Sequence, residues 1–228
     1  MPRKTRMYIP GIPVHVVQRG HNRDATFYCE DDFQFYKTCL SEALKRFKAD
    51  LHAYCLMTNH VHLLITPHEE DSIQRVMQHL GRQYVQYINK TYKRSGSLWE
   101  GRHKGSLVSK DEYLLRCYCY IELNPVTATM VTKPEEYRWS SYSANALGST
   151  DPLITHHPVY IDLASDDQQR MFHYRELYRI PLSDQDIHDI RKAVETNLIL
   201  GNSKFKEDIE RKLGRKVGKG ERGRPRKS

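Results

Sequence analysis

His60 and His62 stand two residues apart in Asn59-His60-Val61-His62-Leu63-Leu64-Ile65, a short apolar run that reads as a strand. On a strand, residues i and i+2 face the same side, so both imidazoles could bind one metal ion. With 12 histidines in 228 residues, two unrelated histidines fit the same spacing. A second candidate is Tyr120 in Tyr120-Ile121-Glu122-Leu123-Asn124-Pro125, on a helix expected to stop before the proline. Helical periodicity puts Leu114, Tyr118 and Ile121 on an apolar stripe and Tyr113, Cys117, Tyr120 and Asn124 along its edge. Tyr120 and Asn124, at i and i+4, would offer a nucleophile and a metal-ligating amide side by side. The same periodicity equally suits a packed aromatic, one of 15 tyrosines. The third candidate is the stretch from Arg82 to Lys104, where Arg82, Lys90, Lys93, Arg94, Arg102 and Lys104 face a single acid, Glu100. Tyr84, Tyr87, Tyr92 and Trp99 are interleaved with them, a mixture of phosphate-pairing and base-stacking groups that suits single-stranded nucleic acid. A solvated helix face with core aromatics has the same composition. His15, His21, His52 and His79 are set aside as structural, because a lone histidine on a strand or helix is more often a packed residue.

The elements that must position these groups follow from pattern. Pro13 to Arg19 is rich in β-branched residues and ends at Gly20, as strands do. Asp31 and Asp32 open a helix carrying Phe33, Tyr36, Leu40, Leu44 and Phe47 at three- to four-residue spacing. Leu51–Met57 and Val61–Thr66 flank a Thr58-Asn59 turn and read as an antiparallel pair ending at Pro67. A long helix follows the Asp71-Ser72 cap, residues 96–105 read as a loop or hairpin, and Lys110–Leu123 as another helix. The order strand, helix, strand, strand, helix, strand, helix predicts an α+β fold, an antiparallel sheet with helices packed on one face. Residues 145–160 look loop-like. Two short helices are expected at 184–198 and 204–213, separated by Gly201-Asn202 and capped by Ser203, as a small helical module suited to binding DNA.

Four motifs occur in order: Cys55-Leu56-Met57-Thr58-Asn59-His60-Val61-His62-Leu63-Leu64-Ile65, Leu98-Trp99-Glu100-Gly101-Arg102, Tyr120 to Val126, and Tyr137-Arg138-Trp139-Ser140-Ser141-Tyr142. In this the chain resembles the single-tyrosine HUH transposases, especially the REP-associated tyrosine transposases, firmly over residues 7–145 and more loosely beyond. The resemblance implies a ferredoxin-like antiparallel sheet, His60 and His62 as metal ligands, Tyr120 as the nucleophile and Asn124 as an additional polar ligand. It further implies a divalent ion, Mg²⁺ or Mn²⁺, single-stranded or hairpin DNA as the partner, and cleavage through a 5′-phosphotyrosine. Thr58 stands where the family often has proline, His103 where an aromatic is frequent and Thr127 where arginine is common. None of these departures removes a catalytic group. Such chemistry needs a metal because a phenol is protonated at neutral pH and a phosphodiester repels nucleophiles.

Composition bounds the class of protein. Hydrophobic residues are 39% and charged residues 28%, the balance of a folded globular protein, and length allows one substantial core. The net charge of +8 is concentrated in residues 211–228, which hold nine Lys or Arg against one Glu, so the remainder carries 27 of each sign. A long-range attraction to polyanions therefore belongs to the tail, whose Arg222-Gly223-Arg224-Pro225 core resembles an AT-hook and would place Arg222 and Arg224 in the minor groove of A·T-rich duplex; a nonspecific polycation, disordered until it meets DNA, fits the same residues. The expected organisation is a transposase domain over 1–145, a linker and small helical module over 146–213, and a basic tail over 214–228. Five cysteines without a Cys-x-x-Cys pair predict reduced, mostly packed thiols. No apolar run spans a membrane and no signal sequence is evident, so a cytoplasmic location is expected. Two other readings stay open: a non-catalytic DNA-binding regulator using the C-terminal helices and tail, and a metal-dependent hydrolase that releases free ends.

Overall fold

The computed structural model describes residues 8–110 and 112–217. Strand β1 (Val14–Arg19) is followed by helix α1 (Glu30–Arg46), the strand pair β2 (Ala49–Met57) and β3 (His60–Pro67), helix α2 (Ser72–Thr91), strand β4 (Lys104–Val108) and helix α3 (Glu112–Glu122). This is the order expected from periodicity. The strands assemble as β2-β3-β1-β4, all antiparallel, the ferredoxin-like arrangement, with a short fifth strand added beyond β4.

Local chemistry accounts for each element. Helix α1 begins with Glu30, Asp31 and Asp32, where carboxylates meet unpaired N–H groups, and Asp32 Oδ2 accepts from the backbone N–H of Tyr28 and Cys29 at 2.8 and 3.2 Å. Helix α2 buries Ile73, Val76, Met77, Leu80, Tyr84 and Ile88, an apolar stripe at helical spacing. Strand alternation divides the sheet into two faces. Tyr54 of β2 reaches α1, where its hydroxyl meets Lys37 Nζ at 2.8 Å, and α2 packs beside α1. The opposite face carries His15, Val17 and Arg19 of β1 beside Leu64, His62 and His60 of β3. The expected helical layer is α1 with α2; the second face is covered too, by α3 and a later helix.

Beyond α3 come α4 (Asn124–Thr127), α5 (Tyr142–Leu147), α6 (Pro158–Ile161), α7 (Asp167–Glu176), α8 (Asp184–Thr196), β5 (Ile199–Leu200) and α9 (Ser203–Leu213). In the segment expected to hold a linker and a small helical module, α8 and β5 pack against the sheet. Strand β5 pairs in parallel with β4, so the sheet is mixed, and α8 packs on β4 and β1. Asn202, not Ser203, caps α9: its side chain accepts from Phe205 N at 2.8 Å. Helix α7 has little amphipathic pattern, which hid it in the sequence, and it docks through polar bonds.

Those bonds converge on Glu122, fully buried at the end of α3. Its Oε1 accepts from Ser141 Oγ at 2.5 Å and Asn145 Nδ2 at 2.9 Å, and its Oε2 from the hydroxyls of Tyr174 at 2.8 Å and Tyr178 at 2.5 Å. One carboxylate thus ties the third and fourth sequence motifs to α7. The fourth motif also closes the edge of β2: Leu56 N donates to the Trp139 carbonyl at 2.9 Å, and Tyr137 Oη to the Leu56 carbonyl at 2.7 Å. Four of the five cysteines are buried and all are free; Cys29 is exposed. Among the described residues no helix is long and apolar enough to cross a membrane.

Candidate active site

Strand β3 presents His60 and His62 on one face, as their spacing predicted, with ring centroids 4.9 Å apart. Helix α3 crosses that face and brings the half-buried Tyr120 ring to 5.9 Å from His62, edge to face. A third imidazole completes the cluster. His15 of β1 lies 5.8 Å from Tyr120 between centroids, and its Nε2 is 2.9 Å from His62 Nδ1. His15 had been set aside in the sequence; only the β1–β3 register, which pairs Val17 with His62 and His15 with Leu64, makes it a neighbour of the site.

Burial sets the charge state. Desolvation lowers His15 to about 3 and, with help from the nearby Arg19 cation, His60 to about 4. His62 is held well below the ordinary value by desolvation first and by His15, His60, Arg19 and Arg191 after it. All three imidazoles are therefore neutral at pH 7, the form that ligates metal ions. His60 Nδ1 is engaged by Asn59 Oδ1 at 2.7 Å and His62 Nδ1 by His15, so the Nε2 atoms are the ones available for a shared ion. Among the described residues no three His, Cys, Asp or Glu side chains gather into a metal-binding group. A metal held by these two imidazoles would take a further ligand of another kind, and a carboxamide or phosphate oxygen suits a hard divalent ion. Asn124 donates from Nδ2 to the carbonyls of Tyr120 at 2.7 Å and Ile121 at 3.3 Å, which commits its nitrogen to the helix end and leaves its oxygen as the only possible ligand atom.

A cavity of about 240 Å³ opens beside His15, His62 and Tyr120. Its lining brings together the cations Arg19, Arg102, Lys104 and Arg191 and the carboxylates Glu100 and Glu195. Arg102 and Lys104 were expected to contact nucleic acid; Arg19 and Arg191 were not identified. Helix α8 forms one wall through Ile190, Arg191, Val194 and Glu195, so the C-terminal segment contributes to the same pocket. Neither His60 nor Asn124 lines this cavity. The other expected DNA contacts lie elsewhere. Arg82, Lys90 and Lys93 are exposed along α2 and just past its end, and Arg94 donates to Tyr28 Oη at 2.7 Å. Trp99, expected as a stacking surface, is instead 5% exposed with its ring 6.2 Å from Tyr84, so it packs in the core and offers no face to a base. Arg222 and Arg224 fall outside the described residues.

The sequence pattern of the IS200-like transposases matches residues 9–124, and the chain belongs to that family. It is accordingly a transposase, an enzyme that cuts and rejoins DNA, and membership implies a metal cofactor. Among solved structures, a REP-associated tyrosine transposase bound to a REP hairpin superposes with a TM-score of 0.57 at 15% identity, covering 69% of this chain and 93% of that one, which establishes the shared fold. A transposase structure from Deinococcus radiodurans is 22% identical over 53% of this chain and 95% of its own, with a TM-score of 0.38. No curated protein matches the chain.

Proposed function

We propose that this transposase cuts single-stranded or hairpin DNA with Tyr120 as the nucleophile, leaving a 5′-phosphotyrosine and a free 3′-hydroxyl. The observation that carries the reading is the Tyr120 ring lying within 6 Å of both His15 and His62, all three lining a cavity with four cations and two carboxylates. A strand entering there would set its phosphate among Arg19, Arg102, Lys104 and Arg191, which offset the charge that repels a nucleophile and that grows in the transition state. The phenolic oxygen bonds to phosphorus as the P–O3′ bond breaks, the phenol loses its proton and the departing 3′-oxygen gains one. Because one phosphodiester replaces another, a 3′-hydroxyl can reverse the step with no nucleotide cofactor. A divalent ion, Mg²⁺ or Mn²⁺ with imidazole favouring Mn²⁺, would polarise the phosphoryl oxygen. His60, His62 and the Asn124 carboxamide oxygen are the groups proposed to hold it.

The hairpin in the related structure supports a folded strand as substrate. Arg82, Lys90, Lys93 and Arg94 would track the flanking backbone, and the tail arginines Arg222 and Arg224 would hold adjacent A·T-rich duplex. A DNA substrate is in keeping with the cytoplasmic location expected from the sequence. The test uses a hairpin oligonucleotide with a single-stranded flank, labelled at either end and incubated with Mn²⁺. The label on the 5′ side of the cut should appear on a shorter free strand, and the label on the 3′ side should remain with protein through denaturation. Release of both fragments as free DNA would favour hydrolysis. Duplex binding unchanged by His60→Ala, with no cleavage under any metal, would favour a non-catalytic regulator.

A further inference from the structure

In each of the two proposed ligand imidazoles one ring nitrogen is already engaged, and the partners differ in kind. Asn59 Nδ2 donates to the Arg23 carbonyl at 2.9 Å, which turns Asn59 Oδ1 toward His60 Nδ1, 2.7 Å away. A carboxamide oxygen only accepts, so His60 Nδ1 carries the proton and its lone pair sits on Nε2. The Arg23 carbonyl is presented by an uncommon backbone, since Asn22 and Arg23 both have positive φ, 52° and 63°. Gly20 makes that loop possible: its N–H donates to the Asn59 carbonyl at 2.8 Å, and a Cβ there would come 2.3 Å from the Asp24 carbonyl oxygen. Two residues in the left-handed region thus present the carbonyl that orients Asn59 toward a proposed ligand histidine.

His62 is held by another imidazole, and the shared hydrogen bond has two possible forms. If His15 Nε2 holds the proton, neutral His62 is protonated on its own Nε2 and has no lone pair there. If His62 Nδ1 holds it, the Nε2 lone pair is free, and His15 must carry its proton on Nδ1. Among the described residues that Nδ1 is buried without a hydrogen-bond partner. The ligating form therefore leaves a buried N–H unpaired, whereas the other leaves only an unused acceptor, the better tolerated of the two.

We propose that Asn59 and His15 are positioning residues for the metal. Asn59 holds His60 permanently in its ligating tautomer, and the His15–His62 pair is a two-state element that metal binding pulls from the resting to the ligating form. The inference rests on His60 and His62 being the ligands. Full-length protein carrying ¹⁵N-labelled histidine tests it, with Zn²⁺ as a diamagnetic probe. In the metal-free protein His60 should be protonated on Nδ1 and His15 on Nε2; with Zn²⁺, the His15 proton should move to Nδ1 and His62 should show Nδ1–H. A His15 tautomer that is the same in both states, or His60 protonated on Nε2, overturns the proposal. In Mn²⁺ calorimetry, His15→Leu and Asn59→Ala should each weaken binding about 10- to 100-fold, and His15→Gln, whose oxygen accepts from His62 Nδ1, should restore most of it. Wild-type affinity in His15→Leu overturns the inference as well. Unchanged binding in both His60→Ala and His62→Ala would instead sink the ligand assignment, a separate failure.

Discussion

Replacing Glu122 separates what this carboxylate does for the fold from the nucleophilic role proposed for Tyr120, two residues earlier on the same helix. Four donors meet its two oxygens in a site closed to water. Hydrogen bonds to a charged group contribute roughly 1.5–3 kcal/mol each, but desolvating the carboxylate cancels much of that sum. That penalty also raises the pKa of Glu122. Glu122→Ala would not strand every donor: Ser141 Oγ also reaches the Tyr54 carbonyl at 3.3 Å, Asn145 Nδ2 reaches the His52 carbonyl at 3.2 Å, and the two tyrosine hydroxyls lie 2.9 Å apart. What remains is the cavity and the weakened geometry, an expected loss of about 3–4 kcal/mol. Glu122→Gln should cost about 1 kcal/mol or less. Its oxygen can keep Ser141 and Asn145, and its amide can donate to the tyrosine oxygens, which accept as readily as they donate. Urea unfolding followed by circular dichroism measures both. A loss under about 1 kcal/mol for alanine, or a glutamine variant as damaged as alanine, would refute the hub.

The buried histidines make stability fall in acid. His15 has a folded pKa of about 3 against an unfolded value near 6.5, so its contribution is complete above pH 6.5 and is lost as the pH falls toward 3. Between pH 7 and pH 5 this one group should cost about 2 kcal/mol, and denaturant midpoints across that range, compared with those of His15→Gln, check it. For the surface cations, Arg82→Ala, Lys90→Ala and Lys93→Ala should each weaken single-strand binding similarly for all sequences and lower the slope of log affinity against log salt by about 0.7. Arg102→Ala and Lys104→Ala, in the cavity lining, should in addition slow cleavage at saturating DNA; rates identical to those of the α2 variants would mean these two side chains do not touch the reacting phosphate.

The sequence displayed the frame and the placement of the proposed site residues because both are local patterns. Period-two alternation placed His60 and His62 on one face of β3, and helical periodicity put Tyr120 on an edge that meets the sheet. What it concealed depends on pairing between distant segments. His15 becomes part of the site only when β1 registers against β3, and Arg191 only when α8 folds back over β4. Trp99 looked like a nucleic-acid platform because it sits among cations, yet the antiparallel bridge between Gly20 and Trp99 carries it into the core. Helix α7 escaped notice because it is anchored by Tyr174 and Tyr178 on Glu122 and not by an apolar stripe. A buried carboxylate that organises tyrosines leaves no periodic trace in a chain with 15 of them.

The central claim is that the phenol of Tyr120 becomes joined to DNA. Protein incubated with the hairpin substrate and Mn²⁺, then digested with protease and nuclease, should yield one nucleotide-bearing peptide, and fragmentation by mass spectrometry should place the phosphate on Tyr120. The adduct should vanish in Tyr120→Phe. A modified residue other than Tyr120, or an adduct that survives the phenylalanine variant, would contradict the account.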